Sequence, residues 1–205
     1  MKVTALGVPD AYLVVPVRHE DARGTFLEWF RQDLLGEVVG YPVDVAQANC
    51  SVSRAGVVRG IHYSDVPPGQ AKYVTCVSGA VLDVVVDLRV GSPTFAAHDA
   101  VRLDDQERHA VYLAEGLGHG FVALTEQATV VYLCSTAYAP EREHEIDAFD
   151  PALGIEWPIT GESIRSDKDA DALGLVEAER DGRLPTYAQC RAWHDARRTR
   201  RADVS

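Results

Sequence analysis

Arg59, His62 and Lys72 bring a planar cation, a titratable imidazole and a compact ammonium together within VVRGIHYSDVPPGQAK, residues 57–72. Arginine offers a forked donor suited to phosphate, histidine exchanges its proton near neutrality, and lysine supplies a positive point charge. Pro67-Pro68-Gly69 between them predicts a turn. A strand bearing Arg59 and His62, a turn, and a strand opening with Lys72 would aim all three at one pocket. The chemistry of such a pocket is anion binding combined with acid/base catalysis. If Tyr132 and the acids of Ser166-Asp167-Lys168-Asp169 converge on it, a carboxylate-held histidine could remove a proton from carbon beside a carbonyl. A cation would then stabilise the enolate, and a phenol would return a proton from the far face. Spacing alone leaves this convergence open, because a histidine in a strand also serves structural roles. Strict alternation sends Arg59 and His62 to opposite faces unless Gly60 marks a bulge.

Other chemistries fit the pattern less well. A metal-binding jelly roll usually needs paired histidines as HxH followed by a carboxylate, but Tyr63 and Ser64 follow His62, and the next charged strand position is a lysine. There is no GxSxG elbow, and neither a Walker nor a dinucleotide-type glycine loop. The net charge of −11 and pI near 5.0 argue against general nucleic-acid binding. Cys50, Cys76, Cys134 and Cys190 form no CxxC pair, which predicts free thiols in a reducing cytoplasm. No stretch approaches the ~18 apolar residues of a membrane span, and the first residues lack a signal-peptide pattern.

The elements that must position these residues read as short strands. Residues 11–17 and 25–30 suggest an opening pair joined by a charged turn, with Arg23 and Gly24 where the second strand begins. Residues 31–41 suggest a short helix or turn. Along 43–53, Ala46, Ala48, Cys50 and Val52 share one face, and Gln47, Asn49, Ser51 and Ser53 the other. That polar face fits either solvent or the lining of a cavity. Residues 72–77 and 80–88 predict a hairpin through Ser78-Gly79, with Asp83 placed either to neutralise Lys72 or His62 or to face water. Residues 97–103, 109–113 and 129–138 complete the strands, and the last puts Tyr132 and Tyr138 on one face. The segment EGLGHGF, residues 115–121, predicts a glycine-rich turn carrying His119. Residues 139–170 predict a wrapping loop ended by a short helix. A helix is expected over 185–200, and the charged end RRTRRADVS is expected to be mobile. The pattern is that of an all-β antiparallel sandwich or jelly roll, with one domain over 1–170 and a helical extension over 171–205.

RGIHY, PPGQAK, SGAVLDVVVDLRVGSPTF, GLGHGF, YAPE and DPALGIEWP, in that order, resemble the dTDP-4-dehydrorhamnose 3,5-epimerase family across residues 2–170. The resemblance implies a jelly roll of cupin type, a homodimer, and no metal or other cofactor. The implied substrate is dTDP-4-keto-6-deoxy-D-glucose, epimerised at C3, C5 or both. By position, His62 corresponds to the family's base, Asp169 to the carboxylate orienting it, Tyr132 to the acid and Lys72 to the cation near the 4-keto oxygen. Arg23, Arg59, His119 and Lys168 correspond to residues around the pyrophosphate, Gln47 and Asn49 to a polar pair on the cavity strand, and Phe26, Glu28 and Glu143 to nucleotide contacts. Tyr138 corresponds to the ring stacked on thymine. Ser64, Ala71 and Leu133-Cys134-Ser135 depart from the family pattern and are expected to reshape the pocket wall near His62 and Tyr132. With the Ala/Val/Arg-rich composition, these departures suggest a deoxysugar pathway for an antibiotic sugar rather than only L-rhamnose. A 3,4-ketoisomerase and a non-catalytic nucleotide-sugar-binding cupin are the alternatives, the latter having no need of His62, Asp169 and Tyr132 together.

Overall fold

Short β-favouring runs leave most strands with an apolar face to bury, and two stacked antiparallel sheets bury those faces against each other. The computed structural model describes residues 1–202. The strands before the cavity region are β1 (Lys2–Ala5), β2 (Ala11–Val15), β3 (Arg18–Asp21) and β4 (Gly24–Leu27), followed by helix α1 (Gln32–Val39). Next come β5 (Gln47–Arg54), β6 (Val58–Ser64), β7 (Lys72–Ser78), β8 (Ala80–Asp87), β9 (His98–Asp104), β10 (Ala110–Leu113), β11 (Leu117–Ala123) and β12 (Gln127–Cys134). A short β13 (Glu143–Glu145) and helices α2 (Asp167–Ala170), α3 (Leu175–Arg180) and α4 (Tyr187–Ala202) end the described chain. A six-stranded sheet runs β1-β2-β10-β7-β12-β5, and a five-stranded sheet runs β13-β6-β11-β8-β9. This is an all-β jelly roll of cupin type.

Alternation along β8 shows how two of the three cores arise. Val81 and Val85 face the other sheet, where they meet Val74, Val111 and Val130. Val84 and Val86 face outward, under Ile146, Leu153, Leu175 and Ala178 from the wrapping segment and α3. Helix α1 covers the outer face of the six-stranded sheet with Leu35 and Val39 against Tyr73 and Tyr112.

Three expectations change. Strand β2 pairs with β1 and β10, so 11–17 and 25–30 are not partners. The opening hairpin is instead β3–β4, formed by the charged residues read as a turn. All four residues of β3 are exposed, so no apolar alternation marks it as a strand. The glycine-rich segment is strand rather than turn from Leu117 onward. A Cβ on Gly118 or Gly120 would lie within 2.7 Å of the Ile61 side chain, so these glycines allow β11 to pack against β6. Finally, helix α4 continues through Arg197 to Ala202 where mobility was expected, while Asp203, Val204 and Ser205 lie outside the described residues.

Helix α4 is held by buried charge. Arg197 forms an ion pair with Glu115, which is 1% exposed. His194 Nε2 lies 3.3 Å from the other Glu115 oxygen, and Tyr41 donates to it. Burial raises the Glu115 carboxyl, but His194 and Arg197 outweigh it and hold the group below its ordinary value. Gly69 packs directly on Glu115, where a Cβ would fall 2.6 Å from the glutamate's own Cβ. The turn leading into Lys72 is thereby backed by the C-terminal helix.

Candidate active site

Between the sheets lies a cavity of about 290 Å³ whose lining includes His62, Lys72, Tyr132 and Asp169. Gly60 resolves the conflict between Arg59 and His62. In the β6–β11 pairing His62 opposes His119 and Arg59 opposes Phe121, so Gly60 and Ile61 together face the single residue Gly120. This is a bulge, and it resets the alternation so that both side chains reach the cavity. Gly60 takes φ +110, and a Cβ there would meet the His119 carbonyl at 2.5 Å, so both backbone conformation and space require glycine.

His62 Nε2 lies 2.6 Å from Asp169 Oδ1. Asp169 sits in the first turn of α2, where Ser166 Oγ accepts from its backbone N–H at 3.1 Å. Burial raises the carboxyl, but hydrogen bonding and charge from His62, with Ser166 and the Gly60 amide, bring the net value below normal. Asp169 therefore stays ionised and accepts the proton on Nε2. The other ring nitrogen is then the one with a lone pair for a proton from a bound molecule.

Facing this dyad, the six-stranded sheet contributes two cross-strand rows. Gln47, Cys134 and Lys72 form one, and Asn49, Tyr132 and Val74 the other. Lys72 is 7% exposed, and burial lowers its ammonium pKa despite the opposing pull of Cys134, Glu143 and Asp83. Burial raises the Tyr132 phenol, with Cys134 adding to this and Arg59 and Asn49 opposing it, so the phenol is protonated at neutral pH. Gln47 Nε2 donates to Asn49 Oδ1 at 2.8 Å, and the Tyr138 backbone N–H donates to Gln47 Oε1 at 2.8 Å. Arg59 Nε donates to Ser53 Oγ at 3.1 Å. The polar face of residues 47–53 thus turns inward rather than to solvent, with Gln47 and Asn49 lining the cavity.

Tyr138, Glu143 and Lys168 also line the cavity, with Lys168 ion-paired to Glu145. Strand β12 ends at Cys134, so the post-strand segment rather than strand alternation brings Tyr138 there. His119 lies beside His62 but is 6% exposed, and its Nε2 is 2.8 Å from Asp83 Oδ2. Asp83 is thus the partner of a second histidine as well as an influence on Lys72. Arg23, Phe26 and Glu28 are not brought to this cavity. Arg23 pairs with Asp21 and Glu28 with Arg31, and Phe26 is 67% exposed on and beside the β3–β4 ribbon. Ribbon residues with no apolar face have nothing to draw them to their own sandwich. Gln70, Glu145 and Ser166 line the cavity without having been singled out from sequence. The alternation of Glu143 with Glu145, and of Gln70 with Lys72, was the available signal. Ser64, Ala71 and Cys134 are buried, and with Leu133 and Ser135 they stand behind the wall rather than on it.

Wider grooves of about 780 and 950 Å³ lie beside the ribbon and at the β5–β6 turn, but neither is lined by a histidine. Among the described residues, no three His, Cys, Asp or Glu side chains gather as a metal site, and no helix is long and apolar enough to cross a membrane.

Residues 5–177 match the family model described as dTDP-4-dehydrorhamnose 3,5-epimerase. A dTDP-4-dehydrorhamnose 3-epimerase of Streptomyces niveus is 55% identical, the match covering 94% of this chain and 92% of that protein. A dTDP-4-dehydrorhamnose 3,5-epimerase of Mycolicibacterium smegmatis is 54% identical, covering 94% and 95%. Among solved structures, ChmJ, a 3'-monoepimerase from Streptomyces bikiniensis in complex with dTDP-quinovose, superposes with a TM-score of 0.92 at 49% identity, covering 95% of this chain and 98% of that one.

Proposed function

The chain belongs to the dTDP-4-dehydrorhamnose 3,5-epimerase family, and from that premise we propose that it epimerises dTDP-4-keto-6-deoxy-D-glucose at C3, C5 or both, in deoxysugar biosynthesis. The observation that carries this reading is the placement of base and acid on opposite sheets. His62 with Asp169 approaches from the five-stranded side, and Tyr132 from the six-stranded side. A sugar ring held between them presents one face to each. His62 takes the proton from carbon beside the 4-keto group, and the C–H electron pair passes into an enolate. The Lys72 ammonium stabilises the enolate oxygen, whose charge would otherwise be costly in a buried site. Tyr132 then delivers its proton to the opposite face of the same carbon, which inverts it. Arg59 and Lys168 supply cations for the pyrophosphate, and Tyr138, 59% exposed, a ring for the base. The ribbon residues Arg23, Phe26 and Glu28 fit a homodimer in which they complete the partner's nucleotide site, since each lies outside its own cavity.

Relatives of almost equal identity are named as 3-epimerases and as 3,5-epimerases, so overall similarity does not select the carbon. Incubation with dTDP-4-keto-6-deoxyglucose in D₂O, with chelator present, tests the reaction by NMR of the C3 and C5 protons. Deuterium is expected at C3, at C5 or at both, with inversion checked by trapping with a 4-ketoreductase. No exchange at either carbon would refute the reading.

A further inference from the structure

The polarity of the amides on β5 is imposed from outside the cavity. A backbone N–H can only donate, and that of Tyr138 donates to Gln47 Oε1. Gln47 must therefore turn its nitrogen inward, and Nε2 donates to Asn49 Oδ1. With its oxygen engaged, Asn49 turns its nitrogen the other way. One of its two N–H groups reaches Cys134 Sγ at 3.6 Å. Directly across the strand pair from Asn49 is Tyr132, on the same face and in the same cavity, and the Asn49 side chain makes a small opposing contribution to the rise that burial imposes on the Tyr132 phenol. Cys134 is 1% exposed and stands between Gln47 and Lys72 in its row. Its sulfur is thus an internal acceptor rather than a surface of the cavity.

We propose that Gln47 and Cys134 are positioning residues for the acid step, holding the Asn49 amide so that its nitrogen, and not its oxygen, faces Tyr132. This rests on the epimerase reading above. When Tyr132 delivers its proton, the O–H bond breaks, its electron pair stays on the phenolate oxygen, and the enolate carbon forms the new C–H bond. The phenolate is then a charge in a half-buried place. An amide N–H already aimed at it stabilises it without reorganisation, whereas a flipped amide would oppose it with a carbonyl oxygen. Gln47 acts here through Asn49, in addition to any contact it makes with substrate.

Two readouts test the proposal. In substrate-free protein labelled with ¹⁵N-asparagine, the two Asn49 side-chain protons report their acceptors. Tyr132→Phe should move one of them and Cys134→Ala the other. If Tyr132→Phe leaves both in place, the proposal is overturned. With substrate in D₂O, Cys134→Ala should keep wash-in of deuterium but raise the ratio of exchange to inversion by about tenfold, the scale of one hydrogen bond to a charged group, and Gln47→Met should raise the same ratio whatever it does to the overall rate. Cys134→Ser, which retains an acceptor, should bring the ratio back. An unchanged ratio in both loss variants, with normal melting, also overturns it, since a merely structural role would lower both rates together. If the wild-type protein exchanges no proton at all, the epimerase reading falls, and with it the role in the acid step, while the amide resonances still decide the orientation of Asn49.

Discussion

Replacing Lys72 by methionine keeps the length of the stem and removes the charge. Lys72 is 7% exposed, and no hydrogen bond or ion pair to its ammonium is found among the described residues. Burial lowers its pKa, and the attractions of Cys134, Glu143 and Asp83 do not make up the difference. A group whose folded pKa lies below its unfolded value of about 10.4 destabilises the folded state. That penalty is in full force below the folded pKa and is relieved as pH rises from there toward the unfolded value. Lys72→Met should therefore raise stability at pH 7 by about 1–2 kcal/mol. For a chain of this size that is roughly 2–8 °C in Tm. The same substitution should lower kcat by about 100- to 1000-fold if the ammonium faces the enolate oxygen, the scale of losing one oxyanion donor. Thermal melts of both proteins across pH 6–10 would show the variant's advantage shrinking as the wild-type lysine loses its proton. A variant that melts below wild type at pH 7, or an advantage that stays constant with pH, would refute the argument from burial. An unchanged kcat would refute the catalytic placement.

Removal and return of the proton separate by mutation: His62→Asn should abolish deuterium wash-in at carbon, whereas Tyr132→Phe should keep wash-in and lose inversion, both read by NMR in D₂O. Asp169 has a folded pKa below its unfolded value of about 3.9, so its contribution to stability is present above that pH and lost as pH falls through the folded value. Acid denaturation curves of Asp169→Asn should accordingly be flatter than wild type in that window, and parallel curves would count against the His62–Asp169 bond. Arg197→Ala leaves Glu115 buried with only His194 and the Tyr41 hydroxyl as polar partners, which should cost about 3 kcal/mol and lower Tm by roughly 10 °C. Unchanged melting would mean that α4 does not support the turn into Lys72.

Much of the site was legible because chemistry-bearing residue types are scarce in short strands. Arg59, His62 and Lys72 flank one turn, and the period of two along 47–53 put Gln47 and Asn49 on a face whose only alternatives were water or a cavity. The sandwich followed from the same periodicity, since each strand of the two stacked sheets had a face to bury. What period alone could not supply was any departure from it. The Gly60 bulge depends on the approach of Gly120 and the His119 carbonyl from another strand, so the face shared by Arg59 and His62 existed only in three dimensions. Asp169 lies 107 residues from His62, and its meeting with the imidazole required the wrapping segment to cross the sheet. The β3–β4 ribbon was missed because, exposed on both faces, it carries no burial pattern, and Arg23, Phe26 and Glu28 consequently stand away from their own cavity. By itself the sequence determined most of the sandwich strands, the family and the chemical groups available. Tertiary structure decided which groups share a cavity, which are buried enough to have their proton affinities shifted, and which way each amide points, because those properties depend on distance and desolvation rather than on order along the chain.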